Sequence, residues 1–75
     1  LKNVSFKDAY LVRANLMSVE ASNANFSNAN LSMADLRSAR CDNAKFFQTN
    51  LKGTKLESGE FNEVDFTTAL NLKEE

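Results

Sequence analysis

The sequence lacks proline, histidine and tryptophan, and its 75 residues include only one cysteine and two glycines. The single cysteine, Cys41, cannot form an intramolecular disulfide, and without histidine a zinc site would have to combine one thiolate with carboxylates. We therefore expect no disulfide framework, no metal site and no cofactor. The absence of proline suits a chain in which nearly every unit donates a backbone hydrogen bond, because proline has no N–H to donate.

The sequence also lacks an excess of charge of either sign, since nine Lys and Arg residues face ten Asp and Glu residues. This balance argues against a nucleic-acid binder, which needs a basic surface, and against a polyanionic mimic of nucleic acid. No run of about 18 apolar residues is present to span a bilayer, so we expect no membrane association.

The start of the sequence, Leu1-Lys2-Asn3-Val4, has neither the charged nor the apolar region of a signal peptide. Because the sequence does not begin with Met, we expect these residues to be a fragment or a processed product. The lone thiol of Cys41 is compatible with a reducing cytoplasm.

A five-residue repeat runs through almost the whole chain. The central position of each unit is apolar from residue 1 to residue 66, the position two residues earlier is small or β-branched, and the other three are mostly polar. A period of five would spread apolar residues all round a helix, and it breaks the alternation of a strand once per unit. Each unit is therefore predicted to be a short strand followed by a corner. Several of these corners end in residue types that tolerate the positive φ of a tight turn, namely Asn3, Asn23, Asn28, Asn43 and Gly53.

The run from Ala24 to Ser38 resembles the pentapeptide-repeat family, whose motif is A(D/N)LXX, and the resemblance extends over residues 1–70. It implies an all-β fold, a right-handed quadrilateral β-helix in which four units form a coil of about twenty residues, with about three and a half coils here. Residues 71–75 are left as a charged C-terminal tail. The best-understood members of the family resemble duplex DNA and engage bacterial type II topoisomerases.

Folding the sequence at that longer period sorts the central residues into columns. One column is entirely Phe and two are entirely Leu, which supports the coil independently of the resemblance. The fourth contains Leu1, Ala21, Cys41 and Phe61, and we expect its small side chains to leave a void or to draw that side inward. The predicted structural core is Phe6, Phe26, Phe46, Phe66, Leu11, Leu31, Leu51, Leu16, Leu36 and Leu56.

No residue pattern indicates an active site, so we expect that the chain is not an enzyme. Cys41 falls in an inward column without a His partner, and we interpret it as a core residue. Several carboxylates fall at outward positions, where we expect ordinary acidity and no catalytic pair. They are Asp35, Asp42, Asp65, Glu57, Glu60 and Glu63.

Apolar residues at outward positions indicate where a partner could bind. Tyr10, Met17, Met33 and Phe47 interrupt an otherwise polar surface, as do Val12 and Leu70, although scattered surface apolar residues are common in soluble proteins. All of these except Met17 are predicted to share one side of the coil with Asn30 and Asn50. The predicted partner-binding residues are Tyr10, Val12, Asn30, Met33, Phe47 and Asn50.

Two functions remain open from the sequence. One is a structural scaffold that presents its outer walls to a protein partner, and the other is a DNA-mimicking modulator of a type II topoisomerase such as gyrase. The columns Lys45 over Asp65 and Glu20, Arg40, Glu60 alternate in sign, which favours the scaffold. The first coil shows no cap, and we expect it to be covered by further residues, by a capping element or by end-to-end association with a second copy.

Overall fold

The computed structural model describes residues 2–70. Within that range there is no helix and no strand longer than one residue, and the pairing consists of isolated parallel bridges between residues twenty positions apart, such as Ser5 with Asn25. The predicted short strands are therefore reduced to single bridged residues. In each unit of five residues, two residues form a turn and two point into the core. Only one residue is then left to form a bridge.

Outward residues twenty positions apart form four columns, which we call the four faces of the stacked coils; all of them except Asp65 are bridged to a neighbouring coil. The Phe face carries Ser5, Asn25, Lys45 and Asp65; the Tyr10 face carries Tyr10, Asn30, Asn50 and Leu70; the Asp35 face carries Asn15, Asp35 and Lys55; the Arg40 face carries Glu20, Arg40 and Glu60. Backbone hydrogen bonds join each coil to the next: the Phe26 amide donates to the Lys45 carbonyl at 2.8 Å, and the Lys45 amide donates to the Ala24 carbonyl at 2.9 Å.

The second residue of every turn from Asn3 to Glu63 has a left-handed backbone. All five positions predicted to tolerate positive φ adopt it, with φ between 61° and 68°: Asn3, Asn23, Asn28, Asn43 and Gly53. The same conformation is imposed on Met33 and Glu63, each with φ of 63°. A side chain with a Cβ costs roughly 1 kcal/mol in this region, so the ladder between coils overrides local preference at these two residues.

Asn or Asp at the bridged position closes the turn that follows it. The Oδ1 atom of Asn25 accepts a hydrogen bond from the Ser27 amide at 2.9 Å, and Oδ1 of Asn30 accepts one from the Ser32 amide at 3.0 Å. This local bond satisfies an amide that the turn would otherwise leave without a partner. It gives a physical reason for the Asp or Asn of the repeat motif.

The core is complete only in the middle coils. Phe26, Phe46, Leu31, Leu36 and Leu51 are at most 2% exposed. The rings of Phe26 and Phe46 stack with centroids 5.2 Å apart and planes 11° apart, so the predicted Phe column is a continuous aromatic stack in the second and third coils.

The remaining predicted core residues are only partly buried, because each has a stacked neighbour on one side alone; they are Phe6, Leu11, Leu16, Leu56 and Phe66. Val4, which the repeat places inward, is 39% exposed for the same reason.

Two threonines replace alanine inside the coils and find partners there. Thr49 is fully buried, and its hydroxyl donates to the Phe26 carbonyl at 2.6 Å. The Thr54 hydroxyl donates to the Leu31 carbonyl at 2.7 Å. Among the described residues no buried side-chain polar atom lacks a partner, so these substitutions do not place an unsatisfied polar group in the core.

The column of small residues Ala21 and Cys41 ends in a large aromatic residue, Phe61. Ala21 and Cys41 are fully buried, whereas the ring of Phe61 lies edge-on to Phe46 and Phe66, with centroids 6.2 and 5.6 Å away. Gly59 makes this orientation accessible, because a Cβ there would overlap the Phe61 ring. A large side chain in this column therefore packs sideways against the Phe column. The predicted terminal tail and the Leu1 position of this column lie outside the described residues.

Candidate functional site

The Tyr10 face brings three of the predicted partner-binding residues, Tyr10, Asn30 and Asn50, into one column with Leu70. Parallel bridges join Tyr10 to Asn30, Asn30 to Asn50, and Asn50 to Leu70. Tyr10 is 79% exposed, although the Leu11 amide that follows it is held to the Asn30 carbonyl at 2.8 Å. The face therefore presents a large aromatic side chain from a backbone that is fixed to the next coil.

Phe47 and Met33 flank this face at its two corners. Phe47 is 52% exposed and Met33 is 49% exposed. Phe47 follows the buried Phe46, and its carbonyl accepts the Asn28 amide at 2.9 Å. Met33 lies against the backbone of Gly53 in the next coil, where a Cβ would stand 2.6 Å from the Met33 Sδ. Gly53 thus provides the space in which the Met33 side chain rests.

The structure corrects the prediction for Val12, which is half-buried rather than exposed. Its short side chain does not project beyond the turn that carries it. Asn30 and Asn50 are also half-buried, and the Oδ1 atom of each accepts a backbone amide two residues later. The side-chain oxygens of Asn30 and Asn50 therefore stabilise the turns that follow these residues. Met17 is 48% exposed, but it lies at the corner between the Asp35 and Arg40 faces, away from the Tyr10 face.

A cleft that the sequence did not predict opens on the Phe face, beside Phe47. It has a volume of about 470 Å³, and its lining includes Lys45, Glu63, Asp65 and Phe47. In the described part of the chain the Phe face bridges Ser5 to Asn25 and Asn25 to Lys45, but not Lys45 to Asp65.

The cleft lies where the stacking between the third and fourth coils is irregular. The planes of Phe46 and Phe66 are 28° apart, whereas those of Phe6 and Phe26 are 9° apart. We attribute this tilt to the edge-on ring of Phe61, which packs against both Phe46 and Phe66. A Phe in a column of small residues is the feature of the sequence that could have indicated this irregularity.

A family model of pentapeptide repeats matches residues 1–32, 14–53 and 34–70, with eight copies of the repeat. The chain belongs to the pentapeptide-repeat family. No curated protein has a detectable match to the sequence. The repeat that the family model matches is the same five-residue repeat that places the outward side chains on the four faces.

Ion pairs of this pentapeptide-repeat chain run both along a face and across a turn. Arg40 lies between Glu20 at 3.8 Å and Glu60 at 3.3 Å, which are its neighbours in the adjacent coils. Arg37 contacts Asp35 at 2.7 Å across one turn. The alternating charges predicted for the Arg40 face therefore form ion pairs between neighbouring coils. Arg40 interrupts the acidic stripe that Glu20 and Glu60 would otherwise form.

Two outward carboxylates do not have the ordinary acidity that we expected. The hydrogen bond from the Arg37 side chain, supported by the Arg37 amide, lowers the pKa of Asp35 to about 2. The hydroxyl and amide of Thr67 lower the pKa of Asp65. Both shifts favour the ionised form, because the partners donate hydrogen bonds to the carboxylate.

Cys41 is fully buried, and burial raises the pKa of its thiol to about 11. A thiol in this state is a poor nucleophile, because the thiolate is the reactive form. Within residues 2–70 no group of three or more Cys, Asp and Glu residues is placed to hold a metal ion. The described part of the chain contains no helix of the length and apolarity that crossing a membrane requires.

Proposed function

We propose that this pentapeptide-repeat chain is a non-enzymatic scaffold that presents its outer walls, and the Tyr10 face in particular, to a protein partner, as a module of a longer protein. The observation that carries the proposal is the exposure of Tyr10, Met33 and Phe47 around one face. Aromatic residues and Met are enriched at protein interfaces, and few other large apolar side chains of the described residues are as exposed.

The backbone beneath these side chains supports the same proposal. Each of the three residues belongs to a turn or bridge that is hydrogen-bonded to the neighbouring coil, as the Met33 amide is to the Lys52 carbonyl at 2.8 Å. A side chain presented from a fixed backbone leaves less conformational entropy to be lost on binding. The scaffold thus needs no rearrangement of its coils to engage a partner.

We also propose that the coils form the right-handed quadrilateral β-helix that the family resemblance implies. Its support is the twenty-residue spacing of the parallel bridges, with four turns in each full coil. An experimental structure with left-handed coils would contradict this.

A non-enzymatic role is supported by the chemistry of the described residues. The thiol of Cys41 is buried, and the ionised carboxylates of Asp35 and Asp65 are held by hydrogen bonds within their own turns. The sequence has no histidine to act as a general base near neutral pH.

The proposal is tested by capture of partners from the source lysate on the immobilised chain. We expect a specific partner to be retained by the parent and lost by the combined variant Tyr10→Ser, Met33→Ser, Phe47→Ser. A Met17→Ser variant serves as the control, since it removes an equally exposed Met from another corner. Urea unfolding of each variant establishes that it is folded before capture.

Three outcomes decide between the functions. A partner that the combined variant retains as well as the parent does would contradict the assignment of the Tyr10 face. Capture of a type II topoisomerase that duplex DNA displaces would favour the DNA-mimicking alternative. Recovery of no specific partner by the parent would remove the support for a binding role of these coils.

A further inference from the structure

Three cations flank the Tyr10 face. Lys7 lies at its corner with the Phe face, and Arg13 and Lys52 lie at its corner with the Asp35 face. All three side chains are exposed, and none forms an ion pair with another described residue. Asp8 is the one acid that the described residues place on this face or its two corners, so three positive charges there meet one negative charge.

The opposite side of the coil has the reverse balance. The Arg40 face and its two corners carry five acids and three cations among the described residues. The acids are Glu20, Asp42, Glu57, Glu60 and Glu63, and the cations are Lys2, Arg37 and Arg40. Two of those cations are already engaged, Arg37 with Asp35 and Arg40 with Glu20 and Glu60. The chain as a whole is nearly neutral, but positive charge is in excess on the Tyr10 side and negative charge on the Arg40 side.

We propose that the Tyr10 face binds an acidic protein segment that carries aromatic or aliphatic side chains among its carboxylates. The inference rests on the proposed function and specifies the chemistry of its partner. Tyr10, Phe47 and Met33 provide apolar contact area, and cations stand at both edges of that area. A segment with alternating apolar and acidic character satisfies both features, because its apolar residues cover the face while its carboxylates reach the corners.

A nucleic acid fits this surface less well. Single-stranded binding sites combine a continuous basic groove with a series of stacking aromatic rings. The Tyr10 face has two exposed rings, those of Tyr10 and Phe47, and its cations are separated by a central column that is uncharged. Charge complementarity therefore favours a partner with a few carboxylates over one with a phosphate at every residue.

The test uses two short fluorescein-labelled peptides of the same length, one with Glu and Asp between Phe and Leu residues and one with Gln and Asn in place of every acid. Binding to the whole chain is followed by fluorescence anisotropy. We expect the acidic peptide to bind, the amide peptide to bind at least about tenfold more weakly, and added salt to weaken the acidic complex.

Two charge variants locate the effect. Neutralising Lys7, Arg13 and Lys52 together as Gln should weaken acidic-peptide binding about tenfold, since each exposed charge contributes modestly. Neutralising Lys2, Lys45 and Lys55 together as Gln changes the net charge equally on other parts of the surface and should leave binding within about twofold.

The inference is overturned if the two peptides bind equally, if both charge variants weaken binding to the same extent, or if a short oligo-dT strand binds more tightly than the acidic peptide. Failure of the acidic peptide to bind, while a lysate partner still depends on Tyr10, Met33 and Phe47, would reject the acidic chemistry and leave the scaffold function standing. If the acidic peptide does not bind and no lysate partner depends on the Tyr10 face, both the acidic-segment inference and the scaffold function are rejected.

Discussion

Replacing Phe26 by Ala tests the physical basis of the stacked core. Phe26 is 1% exposed and stacks on Phe6 and on Phe46, with both pairs of centroids 5.2 Å apart. Truncating a buried Phe to Ala costs about 3–5 kcal/mol, because it removes apolar contact and leaves a cavity. A domain of this size has a total free energy of unfolding of about 4–11 kcal/mol. The variant should therefore lose a large part of its stability, although no residue of the proposed binding face has been changed.

The measurement is urea unfolding, with the free energy extrapolated to water and the slope compared between variants. Phe66→Ala is the matched control. Phe66 is only partly buried, with Phe46 stacked on one side and Phe61 edge-on at 5.6 Å. Its truncation should therefore cost about 2 kcal/mol, less than that of the fully buried Phe26. Equal losses for Phe26→Ala and Phe66→Ala, with unchanged slopes, would refute the view that the middle coils contain the stabilising core.

Three further predictions concern single side chains. The free energy of unfolding should decline as the pH falls from about 4 to about 2, because the pKa of Asp35 is about 2 in the folded chain against an ordinary value of 3.8. The ionised carboxylate stabilises the fold fully above this range and no longer does so below it. Asp35→Asn should flatten the decline when urea unfolding is measured as a function of pH. The Cys41 thiol should resist a disulfide reagent at pH 8 until the chain unfolds, since burial raises its pKa to about 11, and rapid labelling of the folded chain would contradict this. Thr49→Val keeps the shape but leaves the Phe26 carbonyl without its 2.6 Å bond, and should cost about 1–2 kcal/mol in urea unfolding; a neutral effect would contradict a role for that bond.

The stacking of inward residues could be predicted from the sequence because one period governs it. Once Phe26 and Phe46 occupy the same place in successive coils, their contact follows from the spacing of the coils. The left-handed turns at Asn28 and Gly53 were predictable for a similar reason, since a corner is needed in every unit and these residue types tolerate it.

Side-chain directions at the surface were harder to predict, because the repeat specifies only which residues point outward. Val12 was predicted to be exposed, yet it is half-buried, whereas the longer side chains of Met17 and Phe47 at the same position of their turns are exposed. The acidity of Asp35 depends on Arg37 folding back across one turn, a contact that the spacing permits but does not require. The tilt between Phe46 and Phe66 accompanies the edge-on orientation of Phe61, which no periodicity specifies.

The Tyr10 face and the core are connected through the backbone hydrogen bonds between coils. Tyr10 belongs to the first coil, whose core residues are only partly buried, and it is held in place by its bridge to Asn30. Asn30 in turn lies between Ala29 and Leu31, which are buried in the second coil with Phe26. A core variant such as Phe26→Ala can therefore weaken partner binding by loosening the coil on which Tyr10 rests, so loss of binding identifies a contact residue only in a variant whose free energy of unfolding is unchanged.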